Sequence, residues 1–505
     1  MDRERLTSKP ELPGNAPSAT GTAGLDQILG GGFTRNRLYL IEGDPGAGKT
    51  TLALCYLLQG AKQGERGMYV TLSETREEIN AVAESHGWSL DPIHVVELVA
   101  SEENLTPDSQ YTMYHPSETE LGETTRAVLE QVERFKPTRV VFDSLSELRL
   151  LAQNPLRYRR QILALKQFFA GRNCTVLLLD DRTSEESDLQ VRSIAHGVLT
   201  LEQLSPEYGA ERRRLRVVKM RGKAYKGGYH DFTIVRGGLD VFPRLVAADH
   251  HQAFARDQVT SGVGPLDRLL GGGLDRGTST LIMGPAGSGK SSVAVQYACA
   301  AAARGERAAL FAFDESRGTL LTRSAAMGMD LQSQIDAGRI VVQQIDPAEL
   351  SPGEFVHAVR RQVETCDCRL VIIDSLNGYM NAMPEEKFLS IQLHELLTYL
   401  GQKGVTTILV VAQHGLVGGT MQSPVDVSYL ADSVILTRYF EYKGRVKKAI
   451  SVVKKRSGSH EETIRELRLD TGGIRVGEPL EALHGVLTGV PRFDRDAGAQ
   501  GPERQ

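Results

Sequence analysis

Two octapeptides in this chain have the composition and spacing to hold a phosphate chain. Gly43-Asp44-Pro45-Gly46-Ala47-Gly48-Lys49-Thr50 and Gly284-Pro285-Ala286-Gly287-Ser288-Gly289-Lys290-Ser291 both fit G-x-x-x-x-G-K-[ST]. Glycines let successive backbone N–H groups turn inward toward phosphate oxygens, the lysine brings charge to the β- and γ-phosphates, and the hydroxyl reaches a Mg²⁺ ion. Thr51 and Ser292 follow at the start of the adjoining segment and belong to the same cradle. The pattern asks for ATP or a related nucleoside triphosphate, with Mg²⁺, at two places.

Further residues recur around each loop. Asp143 and Asp374 each end an apolar run, where a carboxylate can reach the metal through water. Hydrolysis also needs a carboxylate that orients the attacking water. Glu74 lies 25 residues after Lys49, and Glu315 lies 25 after Lys290. The residue before each differs: Ser73 in the first copy and Asp314 in the second. Asp314 therefore joins Glu315 as a candidate base, whereas the first copy keeps Glu74 alone. Lys219-Met220-Arg221 and Lys454-Lys455-Arg456 recur at the end of a late apolar run. They fit either of two roles, reaching a neighbouring subunit's phosphates or lying solvated at a strand edge. Arg212-Arg213-Arg214 and Lys447-Lys448 suit the protection of exposed edges better than nucleic-acid binding.

The elements that must position these groups are written twice. From Lys49 to Lys290 is 241 residues, as it is from Leu25 to Leu266, and Gly30-Gly31-Gly32 returns as Gly271-Gly272-Gly273. Each copy alternates short apolar runs with helical stretches, the sign of a mainly parallel sheet flanked by helices in an α/β fold. Strands are expected at 38–41, 68–72, 139–144 and 175–180, matched by 279–283, 309–313, 369–375 and 407–413. In this matching Thr175 corresponds to Thr407. Alternating segments at 198–202, 214–219 and 232–235, and at 434–438, 449–453 and 464–469, close each copy. The expected organisation is a flexible leader over 1–17, a first ATPase domain over 18–246, a linker over 247–257, a second domain over 258–478, and a tail over 479–505. Leu480, Leu483, Val486 and Leu487 suit a short helix or loop packed on the second domain.

The chain has 505 residues, enough for two ordinary domains, with 41% hydrophobic and 24% charged residues and a net charge of −4. That charge, and the lack of a basic stripe interleaved with aromatics, argue against a nucleic-acid partner. The first residues are charged and no apolar run reaches the length of a membrane span, which suits a cytoplasmic protein. Five cysteines form neither a disulfide framework nor a paired zinc spacing.

The lead-in glycines, the loop, the acids after the second strand, the strand-end Asp-Ser and the late Lys-x-Arg, all duplicated, resemble the KaiC family of circadian-clock ATPases. The match runs over about residues 18–495. It implies two tandem RecA-like P-loop domains and a double-ring homohexamer with ATP and Mg²⁺ between subunits. It also implies hydrolysis in the first ring and autokinase chemistry in the second. By position, Lys49, Thr50, Lys290 and Ser291 match the phosphate-loop residues, and Asp143 and Asp374 the metal-side acids. Lys219, Arg221, Lys454 and Arg456 match the groups contributed in trans. Family members usually carry two consecutive glutamates where this chain has Ser73-Glu74 and Asp314-Glu315. Counting back from Asp432 places Ser428 and Tyr429 at the family's Ser-Thr phosphoacceptor pair. Leu480–Phe493 resembles a C-terminal loop at which protein regulators act. An ATP-dependent nucleic-acid motor on the same fold, and an ATP-switched scaffold with little turnover, are the alternatives.

Overall fold

Apolar runs without polar alternation, such as Val140-Val141-Phe142 and Leu370-Val371-Ile372-Ile373, suit strands covered on both faces, and only crossover helices can supply that cover in a parallel sheet. A computed structural model describes residues 16–98, 116–152, 154–181, 188–346, 348–381, 388–413, 429–481, 483–487 and 492–493. It divides into two units, Met1–Arg244 and Leu245–Gln505.

The first unit holds β1 (Leu38–Gly43), β2 (Gly67–Thr71), β3 (Ile93–Glu97), β4 (Arg139–Asp143) and β5 (Thr175–Asp181). It continues with β6 (Gly197–Leu204), β7 (Arg212–Met220), β8 (His230–Val235) and β9 (Gly238–Phe242). They form one nine-stranded sheet in the order β3-β2-β4-β5-β1-β6-β7-β8-β9. Every pairing from β3 across to β6 is parallel, and β6 to β9 follow as antiparallel neighbours. Successive residues of β1 enter opposite layers. Ile41 packs with Leu52, Val141 and Leu177, while Leu40 packs with Val70, Phe142 and Leu178.

The second unit opens with a two-residue antiparallel pair, β10 (Gln258–Val259) and β11 (Leu274–Asp275). Its sheet comprises β12 (Ser279–Gly284), β13 (Arg307–Ala312), β14 (Ile340–Gln344), β15 (Cys368–Asp374) and β16 (Thr406–Ala412), then β17 (Ser433–Tyr442), β18 (Arg445–Lys455), β19 (Arg465–Asp470) and β20 (Gly473–Pro479). The order β14-β13-β15-β16-β12-β17-β18-β19-β20 repeats that of the first unit strand for strand. Both units are thus large, mainly parallel sheets flanked by helices, the architecture of tandem RecA-like domains.

The edge strands β3 and β14 and the closing strands β9 and β20 extend the sheet beyond the expected set. Ile93–Glu97 and Ile340–Gln344 are short and half polar, as edge strands are, so the apolar-run criterion passes over them. Leu245 and Ala247 join the second unit's core, and a 3₁₀ turn over Ala247–His250 is held by Glu395 through the Ala247 N–H. Near the end, Leu483–His484 pairs with Arg492–Phe493, and Leu483 and Val486 pack on Phe440 and Ala449. Among the described residues, no helix is long and apolar enough to cross a membrane.

Candidate functional site

In each unit the central strand runs directly into the glycine loop, and the loop into a helix, Lys49–Lys62 or Lys290–Ala303. The helix N-caps, Gly48 with φ 93° and Gly289 with φ 104°, lie in the left-handed region, where a side chain is strained. The chain can therefore reverse tightly and leave its N–H groups facing inward. Lys49 and Lys290 are buried beneath the loops. Lys49 Nζ donates to the Gly43 carbonyl at 2.9 Å and the Asp44 carbonyl at 2.9 Å, and pairs with Asp181 Oδ1 at 2.6 Å. Lys290 Nζ donates to the Pro285 carbonyl at 2.7 Å. Burial lowers the Lys290 ammonium to about 8, with Asp374 opposing that shift.

The strand-end acids meet the helix-start hydroxyls. Thr50 Oγ1 donates to Asp143 Oδ2 at 3.0 Å, and Tyr69 OH donates to the same oxygen. Burial raises the Asp143 carboxyl above its usual range, Asp181 adds to the rise, and Tyr69, Thr50 and Lys49 oppose it. In the second unit Asp374 is hydrogen-bonded by Ser291; burial again raises it, and Asp314 adds to the rise. Both Asp residues are joined to the following serine by a cis peptide bond. Among the described residues no group of three or more His, Cys, Asp or Glu is gathered for a metal. One hydroxyl and one carboxylate per site suit Mg²⁺, which keeps several waters and takes its other ligands from phosphates.

The acids after the second strand differ between units. Glu74 Oε2 is buried without a hydrogen-bond partner, and burial raises its carboxyl, reinforced by Asp143, Glu78 and Asp181. Glu315 pairs with Arg323 at 2.9 Å, and burial raises it despite that arginine. Asp314 accepts from the Ser375 hydroxyl, which also receives the Gly378 N–H at 3.3 Å. A Cβ at Gly378 would lie 2.6 Å from Phe313 Cβ and 2.7 Å from Asp314 Oδ1, so the close packing of Phe313 and Asp314 leaves room there only for glycine. The position four residues after Asp143 carries Glu147, and Ser73 stands at the position matched to Asp314.

The late basic residues are tied within their own chain. Lys219 Nζ donates to the carbonyls of Arg192 at 2.6 Å and Ala195 at 2.8 Å, and Arg221 donates to Ser193 O at 2.8 Å. Lys454 donates to Ala431 O at 2.7 Å and Arg456 to Tyr429 O at 3.0 Å. Tyr429 is 56% exposed. Ser428 lies outside the described residues.

Strand register also brings in residues that the motifs do not name. Leu38 faces Val176 and Ser279 faces Thr407, so Thr175 corresponds to Thr406, and Asp181 to Ala412. This is one residue away from the Thr175 to Thr407 matching; counting on from Asp143 and Asp374 would have found it, since each partner lies 38 residues further. Asp181 thus sits beside Gly43 and reaches Lys49, whereas Ala412 has its N–H and carbonyl held by the Asn377 amide at 2.8 and 2.9 Å. Glu42, next to the first loop, accepts from Arg192 and from Thr200 Oγ1 at 2.7 Å.

A family model described as "ATPase: KaiC" matches residues 18–246 and 259–481. The circadian clock protein KaiC3 of Synechocystis sp. is 25% identical over 489 residues, 96% of each chain. The circadian clock oscillator protein KaiC of Parathermosynechococcus lividus is 26% identical over 489 residues, covering 95% of this chain and 89% of its own. That of Synechococcus elongatus is 25% identical over 482 residues, with 94% and 92% covered.

Proposed function

This chain belongs to the KaiC ATPase family, and on that premise we propose that it is a hexameric, ATP-driven signalling or timing component whose second unit autophosphorylates on serine. The carrying observation is the repeated contact between a loop hydroxyl and a strand-end carboxylate, Thr50 with Asp143 and Ser291 with Asp374, beneath a buried lysine. A metal held by those pairs would neutralise phosphate charge. Lys49 and Lys290 supply the charge beside the terminal phosphates, and the loop N–H groups hold the chain in line. In the second unit Glu315, raised by burial, takes a proton from water or from a serine hydroxyl, and Asp314 is steadied by Ser375. Ser428 is the acceptor, with Tyr429 beside it. In the first unit Glu74 alone orients water, so turnover there is slow.

Lys219, Arg221, Lys454 and Arg456 would leave their own carbonyls to reach a neighbouring subunit's nucleotide once the ring closes. Protein regulators would act at the C-terminal segment.

Incubation of the full chain with γ-labelled ATP and Mg²⁺, followed by mass and phosphosite measurement, tests the proposal. Label at Ser428 that disappears in Lys290→Ala and persists in Lys49→Ala is expected. Label retained in Ser428→Ala would remove the assigned acceptor, and a monomer in the presence of ATP would remove the ring. Loss of hydrolysis only in the Lys49→Ala, Lys290→Ala double variant would assign turnover to both units.

A further inference from the structure

The first and second loops differ in what their lysines meet. Gly43 and Asp181 are neighbours across β1 and β5, so the same register that sets the loop also sets a carboxylate beside it. Two other acids nearby are already committed, Asp180 to Arg149 and Glu42 to Arg192 and Thr200. Asp181 pairs with Lys49 at 2.6 Å, and Lys49 is buried while the aspartate is about a quarter exposed. The second unit has Ala412 at the matching position, and Lys290 there has a loop carbonyl as its hydrogen-bond partner.

We propose that Asp181 competes with the nucleotide's phosphates for Lys49 and so sets the affinity of the first site below that of the second. The inference rests on the reading that both loops bind ATP. A lysine ammonium beneath a phosphate loop is the strongest fixed charge offered to an incoming triphosphate. At the first site a triphosphate must displace a charge-assisted contact before it gains one, and the carboxylate it displaces remains nearby as a repelling charge. At the second site the ammonium exchanges only a carbonyl. Loss of the terminal phosphate lets Asp181 recapture Lys49, which favours release of the diphosphate from the first site. Asp181 is therefore a positioning residue acting through Lys49.

The test uses the full chain with Lys290→Ala to silence the second loop, and a fluorescent ATP analogue with Mg²⁺ as the probe. Asp181→Asn and Asp181→Ala are each expected to tighten binding by about fivefold to thirtyfold, as removal of one charge-assisted competitor allows. Asp181→Glu, which keeps the charge, is expected to tighten it far less than either neutral variant. The reciprocal variant, Ala412→Asp with the first loop silenced by Lys49→Ala, is expected to weaken the second site by a similar factor. Unchanged or weaker binding in both neutral Asp181 variants, with the first unit folded by tryptophan fluorescence, overturns the competition. Absence of binding to the Lys290→Ala parent would instead bring down the ATP-binding reading of the first loop, a different result in a different sample.

Discussion

The two units share a strand order but not the means of holding it together. At register-matched positions beside or within the sheet, the first unit has Glu42, Arg139 and Asp180 where the second has Met283, Leu370 and Val411. Each of the first unit's charges is partnered: Glu42 by Arg192, Arg139 by Glu65, and Asp180 by Arg149. Arg139 is fully buried, donates to the Ala19 and Tyr56 carbonyls at 2.7 and 2.6 Å, and lies over the Tyr56 ring. The comparison shows that the fold accepts either solution, because burying a satisfied ion pair and burying a well-packed apolar side chain are close in net free energy. They differ in what happens when one member is lost.

The largest effect is expected from Glu42→Ala, which removes the buried carboxylate that Arg192 and the Thr200 hydroxyl meet. The first unit should lose about 3 kcal/mol, the lower end for breaking a buried pair because Arg192 is partly exposed. The chain's single tryptophan, Trp88, lies in the first unit, so urea unfolding followed by its fluorescence reads that unit alone. At the matched site Met283→Leu should cost less than about 1.5 kcal/mol, by hydrogen exchange in the second sheet. Equal losses at the two sites would end the contrast.

Acid should sharpen it next. His230 is buried in the first unit; its Nε2 donates to the Lys226 carbonyl at 3.0 Å and its Nδ1 accepts the Arg244 N–H at 2.8 Å, so a second proton has no place. Burial depresses its pKa from 6.5 to about 4. The unfolded chain therefore binds a proton that the folded chain refuses between those values. Stability is full above pH 6.5 and falls as pH drops toward 4, by up to about 3 kcal/mol from this group. The matched residue in the second unit is Arg465, paired with Glu461 at 2.6 Å, so no buried imidazole stands there. Trp88 fluorescence against pH, with and without His230→Gln, checks this; an unchanged acid slope in the variant would refute it.

A smaller effect is expected where the units agree. Asp143→Ala and Asp374→Ala each remove the carboxylate that the neighbouring loop hydroxyl meets, and each should raise the Mg²⁺ requirement of its own unit about tenfold to a hundredfold. A Mg²⁺ titration of turnover with the other loop silenced measures it. The smallest is Ser73→Asp alone, which should change first-unit turnover by less than about threefold, because the matched Asp314 spends its carboxylate on the Ser375 hydroxyl.

How much of this was legible in the chain depends on the distance over which each feature is encoded. Lys49 with Thr50 and Lys290 with Ser291 announce themselves within eight residues, and the repeat of 241 residues announces the second copy. Strand-end Asp143 and Asp374 follow from apolar runs that stop at a charge. Asp181 did not, because its role depends on a neighbour 138 residues earlier in the chain, and a one-residue shift in matching β5 to β16 hid the contrast with Ala412. Tyr69 was equally silent: within β2 it is one more apolar aromatic, and only the closure of β4 against β2 brings its hydroxyl to Asp143. Edge strands β3 and β14 were missed since half-exposed strands need no continuous apolar run.

Gly378 carries a consequence for the history of the two copies. A duplicated domain begins as two identical copies, and their later differences must accumulate one substitution at a time. A Cβ at 378 would lie 2.6 Å from Phe313 Cβ as well as 2.7 Å from Asp314 Oδ1. Replacing the aspartate removes only the second of these collisions, so a side chain at this position requires the backbone to shift whichever residue stands at 314. The first copy, with Glu147 four residues after Asp143, has a side chain at the matched place. The glycine is therefore held by the path of the backbone as well as by the acid, and exchanging the acid alone does not open the position to a side chain.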